Sequence, residues 1–178
     1  MSARGEPLEA AARDLLEAVF AAELGDVRLH RGRVARAVAG ALGATAVTFG
    51  RRVLLAAGAD GGGGRPSAEG VALLAHEVAH VIQYRREGWA GMLARYLGAY
   101  LVARLRGRTH AEAYRGLRHE REATAWGGVV RDLLREPAVA RAIEEGGRLP
   151  APVRERAAAF AAGGPIPAPW KARARGGP

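Results

Sequence analysis

The chain has 178 residues, enough for one domain with a sizeable core and too few for two well-packed ones. It contains no cysteine, which excludes disulfides, thiolate metal sites and cysteine nucleophiles, so any metal must be held by histidines and carboxylates. The formal charge of +9 comes almost wholly from arginine, with Lys171 the single lysine; these arginines are scattered among few aromatics, which argues against nucleic acid as a partner.

The first twenty residues mix acids with apolar side chains and lack a basic start followed by an apolar run, so no signal peptide is expected and the chain reads as cytoplasmic when synthesised. Leu8, Ala12, Leu15, Leu16, Val19 and Phe20 recur at helical spacing, predicting a helix within 6–24 that Gly25 can end. DVRLHRG (26–32) is a short strand or a loop, and RVARAVAGALG (33–43) is again helical. TAVTFGRRVLLAAG (45–58) changes character: β-branched and aromatic residues flank a turn at Gly50, predicting a β-hairpin. ADGGGGRPS (59–67) is a loop that lacks the lysine and serine of a phosphate-binding loop.

Pro66-Ser67 supplies a helix start, and a helix is expected from Ala68 to Arg86 with Val71, Leu74, Val78, Val81 and Ile82 on its core side. A second follows at 89–106, stopped by Gly107. It is too short and too interrupted by Arg95 and Arg104 to span a membrane. A third runs from Ala111 or Leu117 to Arg135, with Gly127 and Gly128 as a weak point. Pro137 ends it, and a short helix reaches Glu145. Residues 1–146 are read as one domain. Residues 147–178 are read as a segment with one more short helix and a disordered tail rich in Pro, Gly and Arg.

The stretch LLAHEVAHVIQ (73–83) holds His76, Glu77 and His80 in the pattern H-E-x-x-H. Residues four apart on an α-helix lie about 40° from alignment, so both imidazoles can aim at one point. Two imidazoles and one carboxylate satisfy three of zinc's four positions and leave the last for water. Glu77, on the flank of the same face, is then placed to take a proton from that water instead of binding the metal.

A third ligand is needed. Gln83 and Arg86 stand where a metzincin would carry Gly and His, which excludes that class. The candidates are His119, Glu120 and Glu122 in RHEREATAW. Glu120 is preferred because Ala123, one turn later on its face, is small enough for this helix to approach the motif helix. Glu122 points about 160° away from Glu120, so only one of the two can face a metal. His119 is a lesser ligand candidate or a transition-state hydrogen-bond donor, and Tyr114 is another such donor.

The succession DVRLH (26–30), a short alanine-rich helix, ALGATAVTFGRRVLL (41–55) and LLAHEVAHVIQ (73–83) resembles the eCIS core domain, over about residues 8–84. That bacterial family is read as zinc metallopeptidases and is encoded with extracellular contractile injection systems. The resemblance implies His76 and His80 as ligands and Glu77 as catalytic base. The later segments QYRREGWAGMLARYLGAY and AYRGLRHEREA are similar to an extension with an E-x-E-A segment, whose first glutamate, the implied ligand, falls on Glu120.

The expected fold is therefore α+β and predominantly helical, a gluzincin-like zinc-peptidase core with a small β-hairpin before the motif helix. The expected function is hydrolysis of peptide or protein substrates with Zn2+ as cofactor. The rival is a non-enzymatic accessory or cargo-targeting domain of a contractile injection system with a structural metal. Either reading allows injection-system components as partners and export through such a system.

Overall fold

The computed structural model describes residues 5–41, 43–59 and 67–163. The glycine-rich stretch 60–66 and the tail 164–178, expected to be loop and disordered, lie outside the described residues. The fold is α+β and predominantly helical: α1 (Ala10–Phe20), β1 (Arg28–His30), α2 (Arg33–Ala41), β2 (Ala46–Phe49), β3 (Arg52–Leu55), α3 (Ala68–Leu105), α4 (His110–Arg115), α5 (Arg118–Leu133), α6 (Pro137–Glu145) and α7 (Ala151–Gly163).

Helix α1 is shorter than the 6–24 periodicity suggests. The Glu9 carboxylate caps its start by accepting from the Ala12 amide, and Ala21 ends it in the left-handed conformation. Leu8 and Leu24 lie outside the helix yet in the core, which is why the apolar pattern extends beyond the helical segment. Glu17 fixes the exit by accepting from the Leu24 amide at 2.8 Å.

The expected hairpin forms, with β2 antiparallel to β3 in a register that sets Thr48 opposite Val53. The strand alternative for 26–32 also holds, since β1 pairs in parallel with β3 and the sheet order is β1-β3-β2. Strand β3 is thus central, and among the described residues β2 pairs only with β3. One face of the sheet presents Val53 and Leu55 to the core.

Ser67 caps α3, its hydroxyl accepting from the Gly70 amide. The two helices expected at 68–86 and 89–106 form one element bent at Gly88, whose φ of 71° and ψ of 166° interrupt the helical path. That backbone conformation suits glycine and strains any residue with a Cβ. The single third helix expected from 111 or 117 is instead two. A Thr109–Glu112 capping box starts α4, and the extended backbone of Leu117 separates α4 from α5. The glycine pair 127–128 does not break α5. Pro137 occupies the first turn of α6, where its missing N–H costs nothing.

The core lies between α1, the first half of α3 and α5. Leu15, Leu16 and Val19 meet Val71, Leu74, Val78 and Val81, together with Val130 and Leu133. Phe20 and Trp126 meet with ring centres 4.7 Å apart and planes tilted by 42°. Helix α7 packs on α1 with Ala157 and Ala161 in the core, and buried Asp14 ties in the preceding segment by accepting from the Leu149 amide at 3.0 Å.

Helices α3 and α5 pack together, and Gly127 of α5 faces Ala72 and His76 of α3. A Cβ there would lie 3.2 Å from the Ala72 carbonyl oxygen and 3.7 Å from the His76 Cβ, whereas at Gly128 nothing stands within 4 Å. Gly127→Val should therefore destabilise the fold by about 1–3 kcal/mol through overpacking. Gly128→Ala should stabilise it by up to about 1 kcal/mol through helix propensity. Thermal denaturation of the two variants checks the pair; equal shifts would mean that the helices do not meet at Gly127.

Candidate metal centre

His76 and His80 occupy successive turns of α3 on the side that faces α5. His80 and Glu120 are buried, and the His76 side chain is about one-quarter exposed. The two Nε2 atoms are 3.2 Å apart, and each lies 3.5 Å from a different oxygen of Glu120. Three donors on a tetrahedral zinc at 2.0–2.1 Å would be separated by about 3.3 Å. These atoms are already at that spacing, so His76, His80 and Glu120 form a group that could hold a metal ion. The donor set fits a borderline cation such as zinc.

The imidazole of His80 is oriented from behind. Its Nδ1 is 2.8 Å from the Gln83 Oε1, which makes Nδ1–H the donor and leaves the Nε2 lone pair available to a metal. Gln83 is fully buried and its amide donates onward to the Glu122 Oε2 at 2.9 Å and the His119 carbonyl at 3.1 Å. Every polar atom of this glutamine is thereby occupied, which suits its position inside the core.

Glu122 and His119 are buried beside Glu120 but serve other partners. Glu122 receives Gln83 and Arg86, while the His119 Nε2 lies 2.9 Å from the Glu87 Oε2. Burial would raise Glu87, but the Arg86 and His119 contacts outweigh it and hold the carboxyl below its ordinary value. Residues 119 and 122 thus lock the start of α5 onto the end of the motif turn, and Glu120 between them is held toward the histidines.

Glu77 is buried and does not belong to the three-donor group. Its Oε2 accepts from the Thr48 hydroxyl at 2.7 Å; the Glu77 carbonyl is 3.3 Å from the same hydroxyl, whose single proton goes to the nearer oxygen. Strand β2 therefore positions the acid of the motif. Tyr114 stands beside Glu120: burial and the Glu120 charge push its phenol far up, so it keeps its proton and can donate. Tyr96, edge-on to Tyr114 at 6.1 Å between ring centres, is pushed up to about 12 by burial first and Glu120 second.

Thr48, Gln83 and Tyr96 were not among the site residues expected from the sequence. Gln83 carried a usable signal, lying three residues after His80 and hence on its face. Thr48 carried a weaker one, an inward position of a strand with alternating pattern.

Burial would raise the Glu120 carboxyl, but hydrogen bonds from His76 and His80 hold it down at about 2 against an ordinary value of 4.5. Burial would lower His80, but Glu120, Glu77 and Gln83 together raise it above 6.5. The depressed carboxyl stabilises the fold above pH 4.5 and this contribution is lost as pH falls toward 2. The raised histidine stabilises it below pH 6.5 and this contribution is lost as pH climbs through its raised value. Metal-free protein should therefore show its highest Tm between pH 4.5 and 6.5, and the Tm increment on adding zinc should grow with pH because ligand imidazoles must be neutral. A zinc increment that shrank as pH rose from 5 to about 7 would contradict this assignment.

The fold and this group define an α+β protein, mostly helical, with a candidate metal centre of two histidines and a glutamate between two packed helices. Residues 7–88, a little under half of the chain, match the model of the eCIS core domain. The match associates the chain with contractile injection systems. No curated protein and no solved structure matched the chain. The matched segment ends at the Gly88 bend and includes Thr48, His76, Glu77 and His80, whereas Glu120 comes from beyond it. Among the described residues no helix is long and apolar enough to cross a membrane.

Proposed function

We propose that the chain is a zinc-dependent peptidase with a gluzincin-like core, in which His76, His80 and Glu120 hold the metal and Glu77 is the general base. The observation that carries this reading is the ligand spacing of 3.2, 3.5 and 3.5 Å beside a buried carboxylate that is not itself one of the ligands. Three protein ligands leave one position open, the arrangement of a catalytic site, whereas structural sites are closed by four.

Bound there, zinc would polarise a peptide carbonyl and lower the pKa of an attacking water. Glu77, held by Thr48, accepts the proton of that water and passes it to the leaving amine. Of the two expected transition-state donors, Tyr114 is protonated and hydrogen-bonded to Glu120 beside the histidines, and His119 is paired with Glu87. The edge of β2 that is unpaired among the described residues, adjacent to α3, suits an extended peptide that adds to the sheet.

The second reading is a non-enzymatic accessory or cargo-targeting domain of a contractile injection system, with a structural metal. It is favoured by the family match, which associates the chain with such systems and not with a reaction. Elemental analysis and cleavage of casein or of the chain itself separate the two. The peptidase should carry one zinc per chain and lose cleavage to a chelator, regaining it with added zinc. Stoichiometric zinc without cleavage of any of these substrates would favour the accessory domain.

A further inference from the structure

Residues 89–116, the second half of α3 together with α4, form a helical hairpin that stands apart from the body. From Leu93 to Glu112 no residue is buried, and the buried residues at its base, Met92, Ala113 and Leu117, lie outside the main core cluster. The hairpin is held together within itself. Tyr96 meets Tyr114 edge-on, the Tyr100 hydroxyl lies 2.8 Å from the His110 Nδ1, and Arg104 donates to the Arg108 carbonyl at 2.8 Å. A segment with few buried apolar contacts belongs to the low-stability end of a fold and opens before the core does.

Both joints of the hairpin are breaks in the helical path. Gly88 has φ 71° and ψ 166°, and Leu117 is extended at φ −62° and ψ 136°. Just outside these joints, on the body side of each, Glu87 and His119 hold one another at 2.9 Å, and Arg86 fixes Glu87 further at 2.8 Å. Two joints whose spacing is pinned leave rotation about the line between them as the softest motion of what lies beyond, the geometry of a hinge. Across that line the hairpin is fastened by a long 3.5 Å contact from Arg95 to Glu87, and by Tyr114, which is hydrogen-bonded to Glu120.

We propose that residues 89–116 are a flap, hinged at Gly88 and Leu117, that opens and closes over the Glu120 side of the metal centre and is latched by the Tyr114 hydroxyl on the Glu120 carboxylate. The structure shows the flap closed. The acceptor of the latch is a candidate metal ligand, so a bound metal that fixes this carboxylate favours the closed flap. By reciprocity, closure strengthens metal binding by the same factor. The flap rests on the three-donor group of His76, His80 and Glu120 and is independent of whether the site cleaves peptides.

Hydrogen exchange of the full chain, metal-free and zinc-supplemented, tests the proposal, with zinc content measured on the same samples. Amides of 89–116 should exchange together and faster than those of 71–81 and 126–133. Zinc should slow them by about two- to tenfold, the contribution of one hydrogen bond. Tyr114→Phe should remove this effect of zinc on 89–116 and weaken zinc binding by a similar factor, while 71–81 keep their protection. The absence of native cysteine allows a second measurement: spin labels on Arg106→Cys near the flap tip and Arg135→Cys on the body, both exposed positions, should give a broad distance distribution that zinc narrows. Exchange of 89–116 at the rate of the core, or a label distance that bound zinc leaves unchanged, overturns the flap alone. A chain that binds no zinc overturns the metal centre and the latch together. The exchange comparison on the unmodified chain decides the matter even if a variant fails to fold.

Discussion

Glu120→Ala is expected to lower zinc affinity by more than about a hundredfold, above the range seen when only a residue behind a ligand is lost. The carboxylate spans both histidines, with one oxygen 3.5 Å from each Nε2, so its loss removes the proposed third ligand and the charge that draws the two imidazoles together. Glu122→Ala is the informative comparison. Glu122 lies on the same helix and is as buried, but it supports His80 only through Gln83. Its loss should therefore cost about 10–100-fold in zinc affinity. Competition titrations with a zinc-binding dye give both values. A larger loss for Glu122→Ala than for Glu120→Ala would mean that α5 presents the other carboxylate and that the E-x-E segment was read in the wrong phase.

Spacing within one helix is local information, and what depended on it was legible in the sequence. His76, Glu77 and His80 on one helix, the Gly50 hairpin before it, and Glu120 and Glu122 on opposite flanks of a later helix all follow from residue periodicity and turn chemistry. The structure puts Glu120 at the histidines and turns Glu122 toward Gln83 and Arg86, as the 160° separation requires. What was not legible depends on contacts between distant segments. The parallel pairing of β1 with β3 crosses more than twenty residues, and three-residue strands carry too little pattern to declare a partner. Thr48 meets Glu77 only because the hairpin packs on α3, and the His119–Glu87 pair exists only because α5 docks at the Gly88 bend. The start of α4 was signalled by T-x-x-E at 109–112, whereas the break before α5 falls at Leu117, which makes no side-chain cap to mark it.

On the peptidase reading proposed above, Glu77→Gln separates metal binding from proton transfer. Glutamine matches glutamate in size, and its amide oxygen can still accept from the Thr48 hydroxyl, so the strand-to-helix contact and the three-donor group should both persist. Zinc stoichiometry should therefore be unchanged. An amide cannot take the proton of an attacking water or return it to the leaving amine, so peptide cleavage should fall by about 10²–10⁴-fold, the usual contribution of a positioned general base. The loss should appear in kcat with little change in KM, because the amide and the carboxylate occupy the same space and the proposed role of Glu77 is on the reacting water. If Glu77→Gln instead released the metal, Glu77 would belong to the coordination sphere and the open position on which catalysis depends would be filled by protein. Full cleavage with full zinc in the variant would transfer the proton to another group, and the protonated Tyr114 beside Glu120 could not serve as that base without first losing a proton that burial and the neighbouring carboxylate both hold in place.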